Sequence, residues 1–215
     1  QITLINDMNK KQFAIINYGM GNIGSVANAF HALDTNIIIS NKATEIEKAD
    51  AYILPGVGAF PQAVKNIKRY GYDSLLNEQV LNNSKPYLGI CLGMQLLSID
   101  SEEQEFTEGL GWINSHVISL NPNNKLNIPH VGWNELQIKG GNCIFRNIGP
   151  SPNYYFDHSF HFVTSEENII TATCNYGEEI IAAIRKENIF ATQFHPEKSQ
   201  RNGLKFLRNF INYVL

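Results

Sequence analysis

The chain has 215 residues, 43% of them hydrophobic and 17% charged, which excludes a disordered or collagen-like chain because burial on that scale offsets the entropy of ordering one sizeable domain. Seventeen Lys plus Arg against twenty Asp plus Glu leave a net charge of −3, without the cationic excess that displaces counterions from a phosphate backbone, so nucleic acid is not an expected partner. No apolar run approaches the ~18–20 residues that span a bilayer, and no cationic start leads into a signal-type segment; no membrane contact is expected, and the expected location is the cytoplasm.

Residues 1–12 read as an N-terminal extension, with Met8-Asn9-Lys10-Lys11 resembling a natural start, and 13–215 as a single domain. Phe13 to Tyr18 reads as a short buried strand, and apolar residues at helical spacing follow from Asn22 to Leu33. Strands are predicted over 37–39 and 51–54, the latter ending at the turn-forming Pro55-Gly56-Val57-Gly58, with helices over 60–69 and 72–81 and a strand over 87–90. Strands alternating with helices predict an α/β fold, a mostly parallel central sheet covered by helices on both faces. From Gly109 to about Arg185 the pattern changes to short β-rich runs, among them 116–120, 154–156 and 180–184, separated by Asn, Gly and Pro, which predicts an antiparallel β-rich extension. A last strand over 189–194 runs into His195-Pro196-Glu197, and apolar residues at 204, 207, 210, 211 and 214 predict a core-facing helix over 203–215.

Three segments invite a chemical reading. Gly19-Met20-Gly21-Asn22-Ile23-Gly24 fits the dinucleotide fingerprint between a strand and a helix, but the second strand ends in Ser40-Asn41 where a ribose-binding acid is needed, so the glycines are read as permitting a tight turn and no cofactor is expected. Gly89-Ile90-Cys91-Leu92-Gly93 is a nucleophile-elbow pattern with Cys in the place of Ser. A helix start there favours thiolate over thiol and offers an amide N–H to a developing oxyanion. His195-Pro196-Glu197 offers a base and its orienter, because residues two apart in an extended segment point the same way and proline stiffens them. Cys143 and Cys174 keep a structural reading as free thiols, since an odd count at wide spacings supports neither a disulfide framework nor zinc. His158 and His161 fall in an aromatic run, Tyr154 to Phe162, that reads as one strand and splits them; no metal site is expected. A cysteine elbow needs a base from elsewhere in the chain, and parallel strands gather their ends on one edge, so the two halves support acyl transfer through a thioester on either a peptide or a glutamine amide.

These motifs, with Asn17-Tyr18-Gly19-Met20-Gly21-Asn22, Leu54-Pro55-Gly56-Val57-Gly58, Gly93-Met94-Gln95-Leu96-Leu97, Ile128-Pro129-His130-Val131-Gly132-Trp133-Asn134, Phe156-Asp157-His158-Ser159-Phe160 and Gln193-Phe194-His195-Pro196-Glu197-Lys198-Ser199, occur in family order from about Phe13 to the C-terminus. In them the chain resembles the triad-type (class I) glutamine amidotransferases of flavodoxin-like fold, and within these the glutaminase subunits of imidazole glycerol phosphate synthases. The resemblance implies a triad of Cys91, His195 and Glu197, an oxyanion hole from the Val57 loop and the Leu92 amide, and substrate binding by Gly58, Gln95, Glu103, Ser159 and Phe160. It places Asn22, Trp133, Tyr155 and Lys198 toward a (β/α)₈-barrel cyclase partner that receives ammonia from L-glutamine in histidine biosynthesis. Paralogues that aminate surface-polysaccharide sugars carry a similar 190–200 segment, so the acceptor stays open between the two. A cysteine peptidase and a non-catalytic subunit are the rival classes. Asp157 departs from the apolar residue that relatives more often carry.

Overall fold

The computed structural model describes residues 11–122, 126–140 and 143–215, so most of the extension assigned to 1–12 lies outside the described residues. Along the chain run β1 (Phe13–Ile16), α1 (Ile23–His31), β2 (Ile37–Ser40), α2 (Ala43–Ile46), β3 (Ala51–Gly56), α3 (Phe60–Tyr70), α4 (Tyr72–Leu76), β4 (Tyr87–Cys91) and α5 (Leu92–Gln95). The second half holds β5 (Asp100–Ser101), β6 (Thr107–Glu108), β7 (Ser115–Ser119), β8 (His130–Glu135), β9 (Gln137–Ile138), β10 (Asn153–His158), β11 (Phe160–Thr164), β12 (Ile170–Asn175), β13 (Glu179–Lys186), β14 (Ile189–Thr192) and α6 (Gln200–Val214).

The main sheet runs β2-β1-β3-β4-β14-β13-β12-β9. Pairings from β2 through β14 are parallel, and those from β14 to β9 are antiparallel. The antiparallel strands thus extend the parallel sheet itself, while β10-β8 and β11-β7-β5-β6 form two smaller sheets. Side chains alternate across the main sheet with period two: Phe13 and Ile15 join the core that contains α1 and α6, and Ala14 and Ile16 join the core under α3 and α4. Both faces are apolar, which is why β1 and β3 read as unbroken hydrophobic runs.

Two predicted elements differ. The helix expected over 72–81 is α-helical only to Leu76 and continues as a π-helix over Asn77–Asn82. The Asn188 side chain donates to the Val80 carbonyl at 2.9 Å and the Lys85 N–H to the Gln79 carbonyl at 3.0 Å, so outside donors satisfy the widened turn. The run Tyr154 to Phe162 is two strands in two sheets, β10 on β8 and β11 on β7, with the chain crossing over at Ser159, whose carbonyl accepts the Leu120 N–H at 2.9 Å.

Strands β3, β4 and β14 are neighbours, with Gly56 in register with Cys91 and Ile90 in register with Thr192. Their carboxyl ends therefore deliver the 55–58 loop, Cys91 and the segment leading to His195 to one edge of the sheet, the usual place for a ligand in an open α/β fold.

Candidate active site

Cys91 ends β4 with φ 55 and ψ −107, a left-handed backbone that side-chain-bearing residues rarely adopt and that costs about 1–3 kcal/mol. The turn is held by close packing. A Cβ on Gly93 would overlap the Leu54 carbonyl oxygen on β3, so only glycine lets the elbow approach that strand. Helix α5 is a single turn, so the dipole expected behind the cysteine is that of four residues; the Leu92 N–H, first in that turn, has no intrahelical acceptor.

His195 follows β14, and its Nδ1 lies 2.8 Å from Glu197 Oε1 with both side chains 2% exposed. The carboxylate is not placed by extended alternation, as the sequence suggested. Pro196 opens a 3₁₀ turn over Pro196–Lys198, and that turn swings Glu197 back toward the ring. Ser199 locks the base: its Oγ donates to the His195 carbonyl at 2.6 Å and accepts the Tyr155 N–H at 3.0 Å. Nε2 of His195 has no partner that meets hydrogen-bond geometry, yet the Cys91 sulfur is near enough for its charge to act on the ring. Burial disfavours imidazolium, but Cys91 and Glu197, by charge and hydrogen bonding together, outweigh it and push the His195 pKa up to about 10. Glu197 fixes Nδ1–H and leaves Nε2 toward the sulfur, the layout of a nucleophile and its base.

Cys91 opens into a cavity of about 400 Å³ lined also by Val57, Gly58, Leu92, Gln95, Glu103, Ser159 and Phe160. Every residue expected to bind substrate or form the oxyanion hole thus lines one space with the thiol. Glu103 accepts the Phe60 N–H at 2.9 Å; burial raises its pKa against the opposing effect of that bond. Gln95 Nε2 donates to the Phe160 carbonyl at 2.9 Å. The glycine-rich turn packs behind the oxyanion loop: Gly21 has φ +100, and a Cβ there would press on the backbone of Pro55 and Gly56. The glycines permit this approach and need no dinucleotide to explain them.

Of the residues assigned to a partner-facing side, three stand together. Trp133, 49% exposed, meets Tyr155 edge-on at 6.1 Å, and Lys198 Nζ sits 5.4 Å from the centre of the Tyr155 ring. Asp157 places Oδ2 3.8 Å from the same ammonium, so the exposed carboxylate pairs with Lys198. The Asn22 side chain caps α1 by accepting the Ser25 N–H at 3.2 Å, and α1 packs on the Pro196–Lys198 turn.

Sequence reasoning missed a buried histidine pair beside the cavity. His158 Nδ1 lies 2.8 Å from the Phe160 carbonyl, which can only accept, so this nitrogen carries a proton and Nε2 receives one from His130 Nδ1 at 3.0 Å. His130 is stacked between Phe156 and Tyr176. Burial lowers the pKa of His130 to about 4, and burial with the charges of neighbouring histidines lowers that of His158 to about 3. Both lie below the ~6.5 of an unfolded histidine, so the unfolded chain binds more protons in acid. The contribution of these two histidines to stability is expected to be complete above pH ~6.5 and to fall by the order of 2 kcal/mol per histidine by pH ~5. Urea unfolding across that range checks this, with His130→Asn flattening the dependence; an unchanged midpoint from pH 7 to 5 refutes it. The available signal was two histidines in strand-like segments. Among the described residues, no group of three or more His, Cys, Asp or Glu is placed to hold a metal, and no helix is long and apolar enough to cross a membrane.

Fold and site together have the layout of a cysteine-dependent amide-cleaving enzyme, and the family pattern Glutamine amidotransferase class-I matches residues 14–213. The chain belongs to that family. Among its curated relatives is imidazole glycerol phosphate synthase subunit HisH 2 of Vibrio vulnificus, 48% identical over 94% of this chain and 95% of the relative. Another is subunit HisH 1 of Campylobacter jejuni, 45% identical over 92% and 98%. Among solved structures, one titled as a glutamine amidotransferase superposes with a TM-score of 0.74 at 19% identity, covering 94% of this chain and 98% of that one. A second, PurLQS of Thermotoga maritima, gives 0.71 at 18% identity, covering 96% and 100%; both likenesses concern the fold alone.

Proposed function

We propose that this chain is the glutaminase subunit of an imidazole glycerol phosphate synthase, hydrolysing L-glutamine to glutamate and passing ammonia to a (β/α)₈-barrel cyclase in histidine biosynthesis. The observation that carries the chemistry is the delivery of Cys91 and the His195–Glu197 pair to one edge by the ends of β4 and β14, beside a cavity lined by Gln95 and Glu103. The similarity to HisH subunits over more than nine-tenths of the chain supports the choice of acceptor.

Cys91 thiolate attacks the side-chain amide carbon of glutamine, and the oxyanion forms toward the Leu92 N–H and the Val57 loop. His195 gives the Nε2 proton to the departing nitrogen, which leaves as ammonia, and the acyl group stays on sulfur as a thioester. The same imidazole then takes a proton from water, hydroxide adds to the thioester, and glutamate leaves with the thiolate restored. A carboxylate suits the substrate's α-ammonium, which assigns that end to Glu103, with Gly58, Gln95, Ser159 and Phe160 around the rest. Such a contact is the same in ground and transition states, so Glu103→Gln is expected to raise KM about tenfold and to change kcat less. Steady-state glutamine hydrolysis measures this; a fall in kcat alone speaks against the assignment.

One α/β domain houses the hydrolysis, and the ammonia needs a receiver. On this reading Trp133, Tyr155 and Lys198 give the docking face an aromatic pair and a cation, and Asn22 belongs to the same face. Basal hydrolysis by the chain alone is expected to be slow and to accelerate when the barrel partner and its acceptor bind. Turnover with each candidate barrel decides the acceptor: acceleration by a sugar-aminating partner and not by the cyclase overturns the histidine-pathway reading. Cleavage of peptides but not free glutamine overturns the glutaminase reading itself.

A further inference from the structure

Gln193 is fully buried, just past the end of β14 and two residues before His195. It stands out as an amide in an apolar segment, and the mechanism above does not use it. Its Nε2 lies 3.5 Å from Cys91 Sγ and its Oε1 3.1 Å from Gln95 Nε2. We propose that Gln193 is a further catalytic residue, whose side-chain N–H donates to Cys91 Sγ and holds the sulfur as the attacking thiolate. The proposal rests on the reading of Cys91 as nucleophile.

The orientation of the amide decides the chemistry, since oxygen and nitrogen are nearly interchangeable in shape. Here it is fixed by a group that cannot be turned round. The Phe160 carbonyl only accepts, and Gln95 approaches it at 2.9 Å, so that end of Gln95 is its NH₂. The same NH₂ faces Gln193 at 3.1 Å, so Gln193 must present oxygen there. Its own NH₂ is thereby aimed at the sulfur. The reverse orientation sets two NH₂ groups against each other in a dry interior and points an oxygen at Cys91, which costs two buried bonds at once.

A donor on sulfur stabilises S⁻ more than S–H, because hydrogen bonds to charged acceptors are the stronger ones. The opposing contact is weaker: the Asp157 carbonyl, which accepts an S–H and favours the thiol, is 3.9 Å away. Gln193 makes its bond from within the core, outside the residues that line the cavity, so the sulfur's open side stays free for substrate. It also links the nucleophile to Gln95, and thus to the Phe160 carbonyl at the cavity wall. Among the described residues, His195, after β14, and Tyr18, after β1, lie near enough for charge on the sulfur to act on them.

The test compares Gln193→Glu and Gln193→Met in the full-length chain, with circular dichroism and thermal unfolding establishing that each is folded. Gln193→Glu keeps an acceptor for Gln95 and, as the carboxylate, sets an oxygen without a proton against the sulfur, whereas Gln193→Met removes donor and acceptor in any protonation state. For Gln193→Glu, kcat is expected to fall about 10- to 100-fold with KM nearly unchanged. Alkylation of Cys91 by iodoacetamide at pH 7 is expected to slow by a similar factor and to approach the parent rate at alkaline pH, where thiolate forms unaided. Gln193→Met should slow alkylation likewise and raise KM as well, because Gln95 is released. A residue that merely packs beneath Gln95 leaves the alkylation profile alone, so parent-like profiles in the folded variants overturn the proposal. If one variant does not fold, the other still decides. The parent separates the two readings: when glutamine fails to protect Cys91, and Cys91 reacts no faster than Cys143 or Cys174, the nucleophile assignment falls and not only the role of Gln193.

Discussion

Replacing Cys91 with alanine is expected to lower glutamine hydrolysis by about 10⁴-fold or more, the loss typical of removing a triad nucleophile, because Cys91 is the one thiol among the described residues that line the cavity. Synthesis from added ammonia by the barrel partner should survive, since that route bypasses the thiol. Equal loss of both activities would mean that the substitution disturbs docking, and the separation of roles between the chains would be wrong. The backbone supplies a second expectation at the same position. Cys91 is held at φ 55 and ψ −107, where a Cβ is strained and glycine is not. Cys91→Gly should be as inactive as Cys91→Ala and more stable than the parent by about 1 kcal/mol. Thermal unfolding of the three proteins checks this: an alanine variant as stable as the glycine variant argues that the elbow stores no strain.

Gly93→Ala is expected to be the most damaging small substitution. The added Cβ would overlap the Leu54 carbonyl oxygen, a backbone atom in the middle of the main sheet that has nowhere to move. The Gly93 carbonyl also accepts the buried Tyr87 hydroxyl at 3.0 Å, so a shift of the turn breaks that bond too. Overpacking against backbone together with a lost buried bond should cost about 3 kcal/mol or more, a drop in Tm of roughly 6–12 °C for a domain of this size. Activity should fall beyond what the lost stability explains, because the displaced elbow carries Cys91 away from the 56–58 loop. A variant with parent-like melting would show that the elbow does not depend on this close approach to β3.

Much of this architecture is legible locally. The runs at 13–16, 51–56 and 87–91 are apolar on both faces because both faces of the sheet are covered, and the glycine-flanked cysteine at the end of one of them marks the elbow. The break at Ser159 was not legible, because Tyr154 to Phe162 keeps strand-like composition through the point where the chain changes sheets. Nor was the π-helical turn after Leu76, which depends on Asn188 reaching Val80 from 108 positions away.

The sequence by itself determined which residue types could do acyl chemistry and that parallel strands would bring them to a common edge, since the elbow, the base with its carboxylate and the strand periodicity are each encoded within a few consecutive residues. Only the tertiary structure decided how those groups are tuned. The amide of Gln193 meets a sulfur 102 positions earlier, the His130–His158 pair spans 28, and the direction of every donor in both contacts follows from the single carbonyl of Phe160. Hydrogen-bond direction of this kind depends on which acceptor cannot be inverted, and that is a property of the packed interior, not of any segment of the chain.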